Sequence, residues 1–201
     1  MRADAARNLE AVLTTGARML AADPGASIAS IAAEAGVDRR TVYRRFGSRE
    51  ELLAAIYEAR LEAIGQAIEG ARLREAPVAV ALHRYVENII AVNRHWPVDL
   101  NRMLSDEAVR RRRDAYAEEV DAFLRRATDE GLLRPGLPVG WISALLPDLT
   151  NLVVREQPEL SHGQAADLVV DILLHGVGAA REREASGVAG ASGTSGAVSA
   201  S

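Results

Sequence analysis

The chain has 201 residues, 48% of them hydrophobic, which is enough to bury the core of one large or two small domains. It has no cysteine, which excludes a disulfide framework, a zinc-thiolate site and a cysteine nucleophile. The net charge of −4 conceals an asymmetry, because residues 1–49 carry eight Arg against five Asp and Glu, a net +3, and the remainder carries −7.

A basic N-terminal part on an acidic chain is the electrostatic footprint of a nucleic-acid partner for that part alone. All 24 basic residues are Arg, which reads as a base-composition effect, so no single Arg stands as a choice over Lys. No apolar run approaches the roughly 18–20 residues that span a bilayer, and the opening MRADAARNLE has no signal-peptide core. The expected location is cytoplasmic, with no membrane partner.

The first helix is expected at about Ala5 to Ala22, where Leu9, Val12, Leu13, Gly16, Ala17 and Leu20 share a face, and Asp23-Pro24-Gly25 ends it. Ser27 is a candidate N-cap for a second helix whose buried stripe is Ile28, Ile31, Ala32 and Ala35. Gly36 stops that helix, and Val37 can pack back on it. Asp38 restarts the chain as an N-cap. The helix from Arg39 to Arg45 turns Val42 inward and presents Arg39, Arg40, Thr41 and Arg44 outward, with Arg45 at the margin. Such a cationic face suits a groove lined with phosphates and base acceptors. After Gly47, Ser48 and Glu51 form an S-x-x-E capping box, and Arg49 lies at a helix N-terminus, where it can join backbone N–H groups in holding a phosphate. Two short helices joined by a glycine turn, then a freshly capped third, make a helix-turn-helix.

From Ser48 to about Gly70 a longer helix carries Leu52, Leu53, Ile56, Ala59, Ala63, Ile64 and Ile68, long enough to link two domains. Further helices are expected at about Pro77 to Asn93, near Pro97 to Leu104, and from about Asp106 to Glu130, with a break at Gly131 to Gly136. Two more, at about Val139 to Arg155 and Ser161 to Gly178, are apolar over a wide arc, which demands burial on more than one side. The segment ASGVAGASGTSGAVSAS cannot bury enough surface to fold. The expected fold class is all-α with about nine helices. Its expected parts are a three-helix helix-turn-helix domain at 1–47, a larger regulatory and dimerisation domain at 48–181 and a disordered tail at 182–201.

Ile31-Ala32, Ala35-Gly36-Val37, Thr41-Val42-Tyr43, Phe46 two residues past Arg44, and Ser48-Arg49-Glu50-Glu51-Leu52 together resemble the DNA-binding domain of the TetR family of bacterial transcriptional regulators. The resemblance implies that Arg39, Arg40, Thr41 and Arg44 face the major groove, that Ser27, Tyr43 and Arg49 touch phosphates, and that Phe46 is core. One departure is the connection Asp23-Pro24-Gly25-Ala26, which lacks the aromatic residue common there in the family. The resemblance also implies a four-helix dimer interface built by the last two helices, with Trp141, Leu145, Leu149, Leu152, Leu168, Ile172 and Leu173 as its candidates. The alternative is that these residues cover the core of a monomer. It implies an effector pocket too, for which Tyr85, Asn88, Ile89, Trp96, Met103, Tyr116 and Phe123 are candidates against the plainer reading of ordinary core. Trp96 stands out among them because Pro97 interrupts the packing of two helices.

His83 and Glu87 have the spacing of a two-ligand metal face, but nothing completes a site, and two polar side chains on the solvated surface are the better reading. No Ser-His-Asp order, phosphate-cradling Gly loop or HExxH occurs, so no catalytic residue, cofactor or metal is expected. The run Arg110 to Arg113 is flanked by Asp106, Glu107, Asp114, Glu118 and Glu119, the pattern of a solvated face laced with ion pairs. The expected function is a ligand-responsive repressor that binds a palindromic double-stranded DNA operator as a homodimer and answers to a small-molecule effector. The alternatives are a helical-bundle carrier or enzyme in which the helix-turn-helix is incidental, and a regulator that answers to a protein partner.

Overall fold

The computed structural model describes residues 2–98 and 107–176. Among them are eight α-helices and no strand: α1 (Arg2–Ala22), α2 (Ile28–Glu34), α3 (Arg39–Arg45), α4 (Arg49–Ala71), α5 (Val78–His95), α6 (Glu107–Asp129), α7 (Trp141–Glu156) and α8 (His162–His175). The count is one short of the nine expected. Of the helix expected near Pro97 to Leu104, Pro97 and Val98 are not helical and the rest lies outside the described residues, as do Met103 and the expected tail at 182–201.

Two apolar cores divide the molecule. The first joins Val12, Ala17 and Leu20 of α1, Ile28, Ile31 and Ala32 of α2, Val42 of α3 and Phe46 to Leu52, Ile56 and Tyr57 of α4. It also takes in Val92 and Trp96 from the end of α5 and Val98 just beyond, so the core of the first four helices is sealed by a later part of the chain. The second core gathers Ile68, Leu82, Val86, Ile90, Phe123, Leu124, Leu146 and Val169 from α4 to α8. α5 is its hub, packing on α4, α6, α7 and α8. α4 contributes side chains to both cores and runs from one to the other.

Asn93 and Thr150 are the buried polar side chains among the described residues, and they join three helices. Arg60 of α4 donates to Asn93 Oδ1 at 2.9 Å and to the Trp96 carbonyl, and Asn93 Nδ2 donates to Thr150 Oγ1 of α7 at 3.3 Å. The Thr150 hydroxyl donates in turn to the Pro147 carbonyl at 3.0 Å. Pro147 lies inside α7, where the missing N–H leaves the Ser143 carbonyl without its helical partner. Asn93→Leu would keep the branched shape, with bulkier ends, but strip both helices of a buried partner. A loss of about 1–3 kcal/mol is expected, read as a melting temperature several degrees lower.

Candidate nucleic-acid interface

The geometry of the turn follows from short-range chemistry. Ser27 Oγ accepts from Ser30 N at 3.0 Å while Ser30 Oγ accepts from Ser27 N at 3.1 Å, a reciprocal capping box in which Ser30 takes the place of the usual Glu or Gln. At the other end Gly36 sits at φ 66, and Val37 N donates to the Ala32 carbonyl at 3.0 Å, closing the helix in a left-handed turn that only glycine adopts without strain. Asp38 Oδ1 then accepts from the backbone N–H groups of Arg40 and Thr41, at 2.9 and 3.2 Å. A helix of seven residues is far too short to hold itself, so α3 depends on this cap and on Val42, which is 2% exposed against the first core. Asp38→Ala is expected to cost about 0.5–2 kcal/mol of stability, measured by urea unfolding, with operator affinity falling as α3 frays.

Burying Val42 decides what α3 shows to solvent. Arg39, Arg40, Tyr43, Arg44 and Arg45 are exposed and Thr41 is half-buried. Arg39 lies over the Tyr43 ring, 5.0 Å from its centroid. Among the described residues none of these four arginines pairs with a carboxylate, unlike Arg18, which bonds Glu34 at 3.1 Å. The second arginine run contrasts with this. Arg111 pairs with Glu107, Arg112 with Glu62 of α4, and Arg113 with Asp114, so three of its charges are already neutralised. One arginine cluster is therefore available to an external polyanion and the other is not.

The flanking candidates are engaged within the chain. The Ser27 hydroxyl serves the cap of α2. Ser48 Oγ caps α4 through Glu51 N at 3.1 Å, but Glu51 Oε2 reaches back to Gly47 N at 2.9 Å, one residue earlier than a capping box requires. Arg49 turns its guanidinium onto the carbonyls of Pro24 and Ala26, bracing the connection that leads into α2. It thus clamps the start of α4 to the start of the turn, a role its place at a helix N-terminus did not suggest. Acceptor carbonyls carry no residue type, so this contact has no signature in the sequence.

A cavity of 210 Å³ lies in the other half, between α4, α5, α6 and α7. Leu61, Ile64, Ile68 and Val120 give it apolar walls, and Tyr85, Tyr116, Asp121 and Ser143 give it polar atoms. Any side chain at position 65 would collide with the Tyr116 hydroxyl, so Gly65 lets that ring lie against α4. Burial pushes the Tyr85 phenol up to about 12, and the Asp121 carboxylate adds to the shift.

Of the pocket candidates read from the sequence, the structure brings Tyr85 and Tyr116 together here. Phe123 is buried in the second core, Trp96 in the first, and Ile89 packs against the first. Asn88 donates to the Ala67 carbonyl at 3.0 Å. Asp121 and Ser143, which line the cavity, carried no local signal. His83 bonds Asp167 of α8 at 2.9 Å, and no group of three His, Cys, Asp or Glu side chains among the described residues could hold a metal.

The outer faces of α7 and α8 carry the remaining candidates. Trp141, Leu152 and Leu168 are 56%, 45% and 40% exposed, and Leu145 and Ile172 are half-buried without joining either core. Trp141, Leu145 and Leu152 recur at helical spacing, as do Leu168 and Ile172, so each helix presents one apolar stripe outward. Leu149 and Leu173 lean inward onto the second core.

Residues 13–56 match the family described as bacterial regulatory proteins, tetR family. The chain is 34% identical over 140 residues to the HTH-type transcriptional repressor LfrR of Mycolicibacterium smegmatis, a match that covers 67% of this chain and 71% of the repressor. It is 27% identical over 136 residues to the nucleoid occlusion factor SlmA of Marinobacter nauticus, covering 64% and 70%. The fold is similar to that of LfrR from Mycobacterium smegmatis crystallised in complex with proflavine, with a TM-score of 0.69 at 27% identity, covering 87% of this chain and 98% of that one.

Proposed function

The chain belongs to the TetR family of bacterial regulatory proteins, and from that premise we propose that this DNA-binding transcriptional regulator acts as a dimeric repressor released by a small molecule. The observation that carries the reading is the set of exposed arginines without carboxylate partners on α3, held out by the burial of Val42. Arg39, Arg40, Thr41 and Arg44 read base edges in the major groove, and Tyr43 and Ser27 lie against the backbone. Arg49 contributes mainly by fixing the start of α2 relative to α4.

Two copies join through the stripes of α7 and α8, which bury Trp141, Leu145, Leu152, Leu168 and Ile172 against their symmetry mates. A two-fold dimer requires a palindromic operator whose half-sites lie one helical turn or more apart. The effector enters the cavity between α4 and α7. A guest that displaces Ser143 or Pro147 perturbs the irregular turn of α7, and Thr150, Asn93 and Arg60 pass the displacement to α4. Because α4 is continuous with the first core, a tilt there changes the distance between the two α3 helices. A ligand favouring the mis-spaced state by about 1–3 kcal/mol lowers operator affinity roughly 5- to 150-fold. The supporting relative LfrR, crystallised with proflavine, is a repressor that accepts a small organic molecule.

The test is a thermal-shift screen for ligands, followed by operator titration with each hit. Hits that stabilise the protein and weaken operator binding together are expected. Hits that stabilise it and leave operator affinity unchanged would move a protein-partner mechanism ahead.

A further inference from the structure

One carboxylate, that of Asp121 on α6, lines the cavity between α4 and α7. It stands beside the apolar side chains of Leu61, Ile64, Ile68 and Val120. An ionised carboxylate offers about four acceptor positions. Among the described residues this one receives a hydrogen bond from the Ser143 hydroxyl and pairs with no cation. Arg113 also lines the cavity, but its Nε and Nη2 are turned to Asp114, at 3.1 and 2.7 Å, rather than to Asp121. Tyr85 and Tyr116 add two electron-rich rings, and the Tyr85 phenol stays neutral.

An anion facing apolar walls is stabilised most by a guest that brings the opposite charge, and aromatic rings favour the same sign of guest. A neutral guest can offer the carboxylate a hydrogen bond but no charge, and an anionic guest would be repelled. We propose that the cavity selects a compact organic monocation, with an ammonium or amidinium head on Asp121 and a small apolar body between Tyr85 and Tyr116. The volume of 210 Å³ lies below the roughly 300–1,000 Å³ of sites for drug-sized ligands, which limits the body to about two rings. This rests on the reading that the cavity receives the effector.

A matched series tests it: 1-naphthylmethylammonium, 1-naphthylmethanol and 1-naphthoate, titrated calorimetrically into the full chain near pH 7. The ammonium is expected to bind at least about tenfold tighter than the alcohol, with naphthoate weakest. Asp121→Asn should bring ammonium and alcohol level, while Asp121→Glu should keep the preference; the melting temperature of each variant reports whether it folds. Equal or tighter binding of the alcohol or naphthoate to the native protein overturns the proposal, as does failure of the ammonium to bind. A preference surviving in a folded Asp121→Asn protein does the same. Operator titration separates the two readings. Ammonium binding that needs Asp121 but leaves operator affinity unchanged upholds the cation site and removes the effector reading. Operator release driven by alcohol or naphthoate alone does the reverse.

Discussion

Arg39→Ala, Arg40→Ala and Arg44→Ala are each expected to weaken operator binding by about 1–3 kcal/mol where the lost guanidinium contacts a guanine edge, and to relax specificity at that base pair alone. All three side chains are exposed on α3 and none has a carboxylate partner among the described residues, so removing one costs the fold little beyond the contact of Arg39 with the Tyr43 ring. The melting temperature should stay constant while affinity falls, which separates lost readout from lost structure. Arg111→Ala is the control, since its charge is already paired with Glu107 and lies on α6. Arg49→Ala should behave differently from both. It removes the brace to the Pro24 and Ala26 carbonyls, so stability and affinity for every sequence should fall together. The measurement is a fluorescence-anisotropy titration of each variant on the native operator and on single-base variants, at fixed salt.

Leu152→Arg and Leu168→Arg are expected to abolish dimerisation and reduce operator affinity by about 10²- to 10⁴-fold, the gain that linking two reading heads provides. Both residues are exposed in the protomer, at 45% and 40%, so an arginine there is solvated in a monomer and charged against an apolar stripe in a dimer. Each variant should therefore fold and sediment as a monomer. Leu149→Arg would be a poorer test, because Leu149 also packs on its own core and its loss would unfold the chain as well. A native protein that sediments as a monomer at micromolar concentration would leave these stripes without the role assigned to them.

The parts of the molecule set by neighbours in sequence are legible in the sequence alone. Ser27, Gly36, Asp38 and Ser48 act through hydrogen bonds spanning two to five residues, and each stands at a helix boundary as its chemistry demands. The outward face of α3 follows from helical periodicity once Val42 is inside. The linking helix, expected from Ser48 to about Gly70, runs Arg49–Ala71. What escaped notice depends on packing between distant segments. Trp96 stands out in the sequence because Pro97 interrupts the packing of two helices, yet its ring fills the junction between the first core and α5, where a large apolar group is needed as a seal. Asp121 looks like any other charge on a charged helix, and only the fold of α4 and α7 over it makes it a cavity residue. Asn93 and Thr150 are 57 residues apart, so no local pattern pairs them.

If two copies of this chain read one DNA site through α3, selection of the full protein against random duplexes will recover that site. The readout is the sequence of the enriched pool and the stoichiometry of the winning complex by sedimentation. The expected result is an inverted repeat with half-sites about one helical turn or more apart, bound by an even number of chains, and no enrichment with the Arg39→Ala, Arg40→Ala, Arg44→Ala triple variant. An unenriched pool, or enrichment that the triple variant reproduces, would contradict it.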